Sequence, residues 1–133
     1  GAFYDAGFRA GTIIARNEDA GTVLARRYGY AWAPEPGNLT APVIVNVTPI
    51  GMSGGAESEQ LAYPQPTIEA ASVVFDVVAM PVETPLIRAA RAAGREVITG
   101  GEVIALQAAE QFRLYTGVTL SPDDIAQAEA QAN

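Results

Sequence analysis

Short apolar runs rich in β-branched residues alternate along this chain with stretches of helical character, and that alternation limits the fold more than any other feature. Thr12-Ile13-Ile14-Ala15, Pro42 to Val47, Ser72 to Val78 and Glu96 to Thr99 are the clearest runs, with a shorter one at Tyr30-Ala31-Trp32. Strands separated by helical segments must pair in parallel, because each return of the chain to the same end of the sheet needs a crossover. Thr12 to Ala15 is too continuously apolar to face water on one side, so it is predicted to be a central strand covered on both faces. The predicted class is α/β, a three-layer parallel sheet with helices on both faces.

The punctuation between the runs sets the helices. Gly1 to Gly7 reads as the last turns of a helix with Gly7 as its stop. Asn17 or Asp19 caps a helix to about Tyr28, closed by Gly29. Thr84-Pro85 opens another, with proline at the first helical position, and Gly94 closes it. Gly100-Gly101 leads into a helix from Glu102 to Thr116, and Ser121-Pro122-x-Asp124 begins a last one to about Gln131. Pro34 to Asn38, Thr48 to Gly55 and the proline-rich stretch through Tyr63-Pro64-Gln65-Pro66 read as loops.

Missing residue types narrow the chemistry. The 133 residues include no histidine and no cysteine, and all eight cationic side chains are arginine. A zinc or other soft-metal site is therefore not expected. Neither a Ser-His-Asp nor a Cys-His arrangement can be built, and lysine mechanisms are excluded within this chain. Asp, Glu and Tyr remain for acid–base work, and all normally titrate far from neutrality. A net charge of −7 disfavours nucleic acid and anionic membranes as partners. No apolar run reaches the roughly 18–20 residues of a membrane span. No leader is expected, and the lack of cysteine fits a cytoplasmic location.

The carboxyl ends of the predicted strands carry the candidate binding residues. Arg16, followed by Asn17, stands where a dinucleotide fold meets the adenosine ribose; arginine there suits a 2′-phosphate. Read alone, it is weak evidence, since most arginines after a strand are simply solvated. Asn46-Val47-Thr48-Pro49-Ile50-Gly51-Met52 follows a buried strand and suits a crevice wall, or an ordinary glycine-rich loop. Gly100-Gly101 offers free N–H groups to a ligand, or eases a strand-to-helix turn. Gln107, Glu110 and Gln111 lie opposite an apolar stripe of Val103, Ile104, Leu106, Ala108, Phe112 and Tyr115 and fit a solvent face. The G-x-G-x-x-G phosphate loop occurs nowhere, and the chain opens inside what reads as the helix after it. The expectation is a domain truncated at its N-terminus, lacking the first strand and the Gly-rich loop.

In order and spacing, Asn46-Val47-Thr48-Pro49-Ile50-Gly51-Met52, Phe75-Asp76-Val77-Val78, Glu83-Thr84-Pro85-Leu86, Gln107-Ala108-Ala109-Glu110-Gln111-Phe112 and Tyr115-Thr116-Gly117-Val118 resemble the shikimate dehydrogenase family, from Asp5 to about Ala130. Asn46-Val47-Thr48, Gly54-Gly55 and Val77 to Pro85 are more similar to its shikimate dehydrogenase-like subgroup than to the biosynthetic enzyme of aromatic amino acid biosynthesis. The resemblance implies that residues 1–133 form a C-terminal, Rossmann-like NADP-binding domain. Helices in 102–133 would then pack against a catalytic domain absent from this chain.

The same resemblance implies an oxidoreductase passing hydride between NADP(H) and shikimate/3-dehydroshikimate or a related polyhydroxylated acid. A Lys–Asp pair of the other domain handles the proton, so no catalytic residue is expected here. It assigns Arg16 to the 2′-phosphate, with Asn17 beside it, and Thr48, Pro49, Val77 and Gly100 to the cofactor. Gln107 would bind substrate. Thr99 and Glu102 depart from the family's Asp-Gly-Leu-Gly segment, and Ala79 stands where the biosynthetic enzyme has a substrate-binding tyrosine. The alternative reading is a non-catalytic NADP-binding or regulatory module. Self-association through exposed C-terminal helices is expected in either case.

Overall fold

The computed structural model describes residues 1–132, with side chains as far as Ala128; Asn133, the end of the expected C-terminal helical segment, lies outside the described residues. The chain forms two compact units, Gly1–Leu39 and the part from Thr40 onward.

In the first unit, helix α1 (Ala2–Asp5) stops before Gly7, whose φ of 101° only glycine adopts at little cost. Strand β1 (Thr12–Ile14) pairs in parallel with β2 (Ala31–Ala33), Ile13 opposite Trp32. The crossover between them is α2 (Glu18–Tyr28), which packs on both strands. Asn17 is its N-cap, the side-chain oxygen accepting from Ala20 N–H at 2.9 Å, and Gly29 closes it in the left-handed conformation. Gly21 is buried because the Trp32 indole lies against it, while Trp32 Nε1 donates to the Ala15 carbonyl at 3.2 Å. The expectation that Thr12 to Ala15 is covered on both faces is not met: Thr12 is exposed and Ile13, Ile14 and Ala15 are half-buried. In this sheet the strand pairs with β2 alone, and its apolar run packs against α2.

The second unit carries the larger sheet, of parallel order β3–β4–β5: Val43–Asn46, Val73–Asp76 and Glu96–Ile98. The strands thus pair as two parallel sheets rather than one. Alternate residues of β3 and β4 are fully buried, and Ile44 and Val74 lie opposite each other. Helix α4 (Pro85–Ala92) packs on β4 and β5 and brings in Leu86 and Ala90. A six-residue helix α3 (Gln65–Ala70) adds Ile68, which has no exposure, in the stretch read from sequence as loop. Its prolines sit before and within the first turn, where a missing N–H costs nothing, so they start the helix instead of breaking it.

The long helix α5 (Gly100–Thr116) begins at the paired glycines rather than after them, and α6 (Pro122–Ala132) follows with Ser121 and Asp124 in reciprocal hydrogen bonds. Along α5 only Gly100 is buried; Ile104, Leu106, Phe112, Leu114 and Tyr115 are exposed.

The burial pattern makes a contrast that can be measured. Leu86→Ala empties a closed part of the core and is expected to cost about 2–5 kcal/mol of unfolding free energy. Leu114→Ala removes a side chain already in water and is expected to stay within about 0.5 kcal/mol. Urea denaturation of the two variants against the parent chain checks both.

Candidate functional site

Because β3, β4 and β5 run parallel, their carboxyl ends lie along one edge, with Asn46 beside Asp76 in register and Phe75 beside Ile98. Ligands of open α/β sheets bind outside this edge. Val47, Thr48 and Pro49 follow β3, Val77 and Val78 follow β4, and Thr99 and Gly100 follow β5. Four of the expected cofactor residues, Thr48, Pro49, Val77 and Gly100, therefore share this edge. The first three are exposed and Gly100 is buried.

A hydrogen-bond network beneath the edge fixes these loops. Asn46 is 2 % exposed and Asp76 not at all. Asn46 Nδ2 donates to Asp76 Oδ1 at 3.0 Å and to the Ile50 carbonyl at 3.2 Å. Asn46 Oδ1 accepts from the Thr48 N–H at 3.0 Å and its hydroxyl at 2.6 Å. The carboxylate also accepts from Val78 N–H at 3.0 Å and, on Oδ2, from the Thr84 hydroxyl at 2.7 Å. Thr84 Oγ1 in turn caps α4 by accepting from Ile87 N–H at 3.2 Å. The Ser53 N–H donates to the Met80 carbonyl at 2.9 Å, tying the loop after β3 to the loop after β4. Among the described residues no buried side-chain nitrogen or oxygen lacks a partner, as a polar cluster of this kind requires.

Sequence reasoning missed Asp76 and Thr84 as site-forming residues. The signal available was a polar residue closing each apolar run, Val43-Ile44-Val45-Asn46 and Val73-Val74-Phe75-Asp76.

At β5 the departures Thr99 and Glu102 acquire a structural explanation. The Thr99 side chain accepts from Glu102 N–H at 3.3 Å while the Glu102 carboxylate accepts from Thr99 N–H at 2.7 Å, a reciprocal capping box. Gly100 follows, and a Cβ added there would collide with the Val78 carbonyl and stand 2.7 Å from that of Val77. The glycine is required by this close approach of backbone to backbone.

Arg16 and Asn17 follow β1 in the first unit. Arg16 is exposed, and the Asn17 side-chain oxygen is committed to the α2 cap. Gln107 lies about two turns into α5 and is exposed, as are Glu110 and Gln111; Glu110 pairs with Arg113 at 2.5 Å, and this hydrogen bond holds the Glu110 carboxyl below its ordinary range. A recess of about 170 Å³ at the start of α4, lined by Gly51, Ser53, Ser58, Pro81 and Arg88, is too small for a dinucleotide. Among the described residues no group of three or more His, Cys, Asp or Glu side chains could hold a metal ion, and no helix is long and apolar enough to cross a membrane.

A shikimate dehydrogenase-like protein of Haemophilus influenzae is 53% identical over 131 residues, covering 98% of this chain and 48% of its own length. A solved shikimate 5-dehydrogenase-like protein superimposes with a TM-score of 0.92 over 97% of this chain and 48% of its own, at 53% identity. The chain belongs to the shikimate dehydrogenase family. The structure of shikimate 5-dehydrogenase from Thermus thermophilus in complex with NADP(H) and shikimate matches at a TM-score of 0.81 and 28% identity, over 99% of this chain and 49% of that one. The chain thus spans about half the length of these relatives. No protein-family model matches it. The match carries the parallel α/β class expected from the strand–helix alternation and the Rossmann-like domain that the resemblance implied.

Two outcomes follow from the local geometry. Gly100→Ala is expected to cost about 1–3 kcal/mol of stability, since backbone must shift on one side of the contact; a lowered urea midpoint at unchanged slope would show it. Tyr63 donates to the Val45 carbonyl at 2.7 Å, and burial, with the Asp76 carboxylate adding to it, pushes its phenol above the ordinary tyrosine range. A folded value raised above the unfolded one gives stability that is whole below about pH 10 and is lost as pH rises through the folded-state value. Urea midpoints measured from about pH 9 to about pH 11 should fall more steeply for the parent chain than for Tyr63→Phe.

Proposed function

We propose that this chain is the C-terminal, NADP-binding half of a shikimate dehydrogenase-like oxidoreductase, and that the cofactor lies along the carboxyl edges of its parallel strands. The observation that carries this reading is the shared edge of Thr48, Pro49 and Val77, joined below by Asn46 and Asp76. Exposed side chains suit the parts of a dinucleotide. In the second unit Val47 and Met80, 72% and 74% exposed, with Val77, offer apolar surface to a planar ring; the 2′-phosphate role proposed for Arg16, in the first unit, rests on the family resemblance and on the exposure of that residue. NADP(H) supplies hydride chemistry when bound. The chain's own part is to orient the nucleotide and, through Gln107, to hold a substrate hydroxyl or carboxylate. Substrate is proposed to be shikimate/3-dehydroshikimate or a related polyhydroxylated acid. Ala79 offers no hydroxyl in place of the biosynthetic enzyme's tyrosine, which favours the related acid over shikimate.

The chain has no lysine, so the proton-handling Lys–Asp pair is not within it, and these 133 residues alone are expected to bind without turnover. The same absence favours a second reading, a non-catalytic NADP-binding module. Helices α5 and α6 are proposed to dock on a catalytic domain, or on a second copy in its absence, through the exposed apolar side chains of α5. A cytoplasmic location is consistent with the lack of cysteine.

Without G-x-G-x-x-G the pyrophosphate lacks its usual cradle, so NADPH is expected to bind only with a Kd of roughly micromolar to millimolar. Arg16→Ala should weaken NADPH by about 10- to 100-fold, the worth of a charge-assisted contact, and leave NADH within about twofold. Fluorescence titration with both nucleotides tests this. Equal affinity of the parent chain for the two, unchanged by Arg16→Ala, would refute the 2′-phosphate role.

A further inference from the structure

We infer that Asp76 is the positioning residue of the nucleotide edge: one buried carboxylate sets the loop after β3, the loop after β4 and the start of α4 together, and nucleotide affinity at this edge runs through it. The inference rests on the nucleotide reading above. Three donors from three segments converge on this group: Asn46 Nδ2 at the end of β3, Val78 N–H just past β4, and the Thr84 hydroxyl at the α4 cap. None of them is a ligand-facing group. What they hold is. Asn46, oriented by Asp76, fixes Thr48 through both its N–H and its hydroxyl and fixes Ile50 through its carbonyl. Val78 N–H, drawn to the carboxylate, sets Val77, whose carbonyl meets the close approach at Gly100.

The side chain itself cannot touch a ligand, since it has no exposure. It is also more than filler: beside the apolar cluster around Ile44, Ile68, Val74 and Leu86, its carboxylate accepts hydrogen bonds from three segments. The carboxylate's geometry therefore acts on the ligand only through Thr48, Val77 and Gly100.

The test compares Asp76→Asn, Thr84→Val and Thr84→Ser in the full chain, with NADPH titration and amide hydrogen exchange. Asp76→Asn keeps an oxygen for Asn46 and Val78 but turns an amide towards Thr84. It is expected to weaken NADPH at least tenfold and to strip protection from the Thr48, Ile50, Val78 and Ile87 amides, while Val74 and Val97 in the ladder keep theirs. Thr84→Val should do the same to a lesser degree, about threefold in affinity, and Thr84→Ser, which restores the hydroxyl, should match the parent. If Asp76→Asn does not fold, the two Thr84 variants decide the matter. Protection lost evenly across β3, β4 and β5, or NADPH affinity within twofold of the parent in both Asp76→Asn and Thr84→Val, would overturn the positioning role while leaving the nucleotide reading intact. Failure of the parent chain to bind NADPH at all would overturn the nucleotide reading, and this role with it.

Discussion

A carboxyl group with no exposure to water has to be given donors by the fold, or its burial costs several kcal/mol. Asp76 is given three, each from a different segment, and so the segments cannot move independently. That requirement explains why the sheet ends where it does. Asn46 and Asp76 are the last residues of their strands because their side chains must reach one another across the register, and the backbone beyond them is free to turn outward into loops. The same junction contains the α4 cap, so the helix covering β4 and β5 starts from the network instead of merely lying near it.

The edge that results is held from below and open above. Its exposed residues are small, apolar or hydroxylic, and its rigidity comes from groups that a ligand never meets. Gly100 adds a contact in which α5 leaves β5 against the carbonyls of Val77 and Val78, with the Thr99–Glu102 box satisfying the helix's first N–H groups. Gly100, one of the glycine pair read as ligand-facing backbone, also lies against the protein's own chain. The chain spans about half the length of the relatives compared.

Much of the fold was legible because its punctuation is local. Asn17 and Gly29 bound α2, Thr84-Pro85 and Gly94 bound α4, and Ser121 with Asp124 opens α6, each through contacts within a few residues. What the sequence concealed depends on distance in the chain. Helix α3 hides behind prolines that suggest a loop. The exposure of β1 depends on how many strands pair with it, which its own short run of residues cannot express. In the site, Thr48, Pro49 and Val77 were legible as residues following apolar runs, but Asp76 and Thr84 were not. Their meaning lies in a contact 30 residues away with Asn46 and one of 8 residues between themselves. The Thr99–Glu102 box was masked by reading those positions as departures from a glycine pattern, although Thr-x-x-Glu before a helix is itself a local signature.

Trp32 is the single tryptophan of the chain, and it lies in the first unit, over Gly21 and hydrogen-bonded to the carbonyl of the residue before Arg16. Its emission therefore belongs to one unit alone and has no counterpart in the other, where the absorbing side chains are tyrosine and phenylalanine. The molecule carries an optical reporter at the β1–α2 turn. Melting of the first unit can be followed by indole fluorescence separately from the loss of helical ellipticity, to which α5 contributes the longest helix, so whether the two units unfold together is a question the protein can answer without any label being attached.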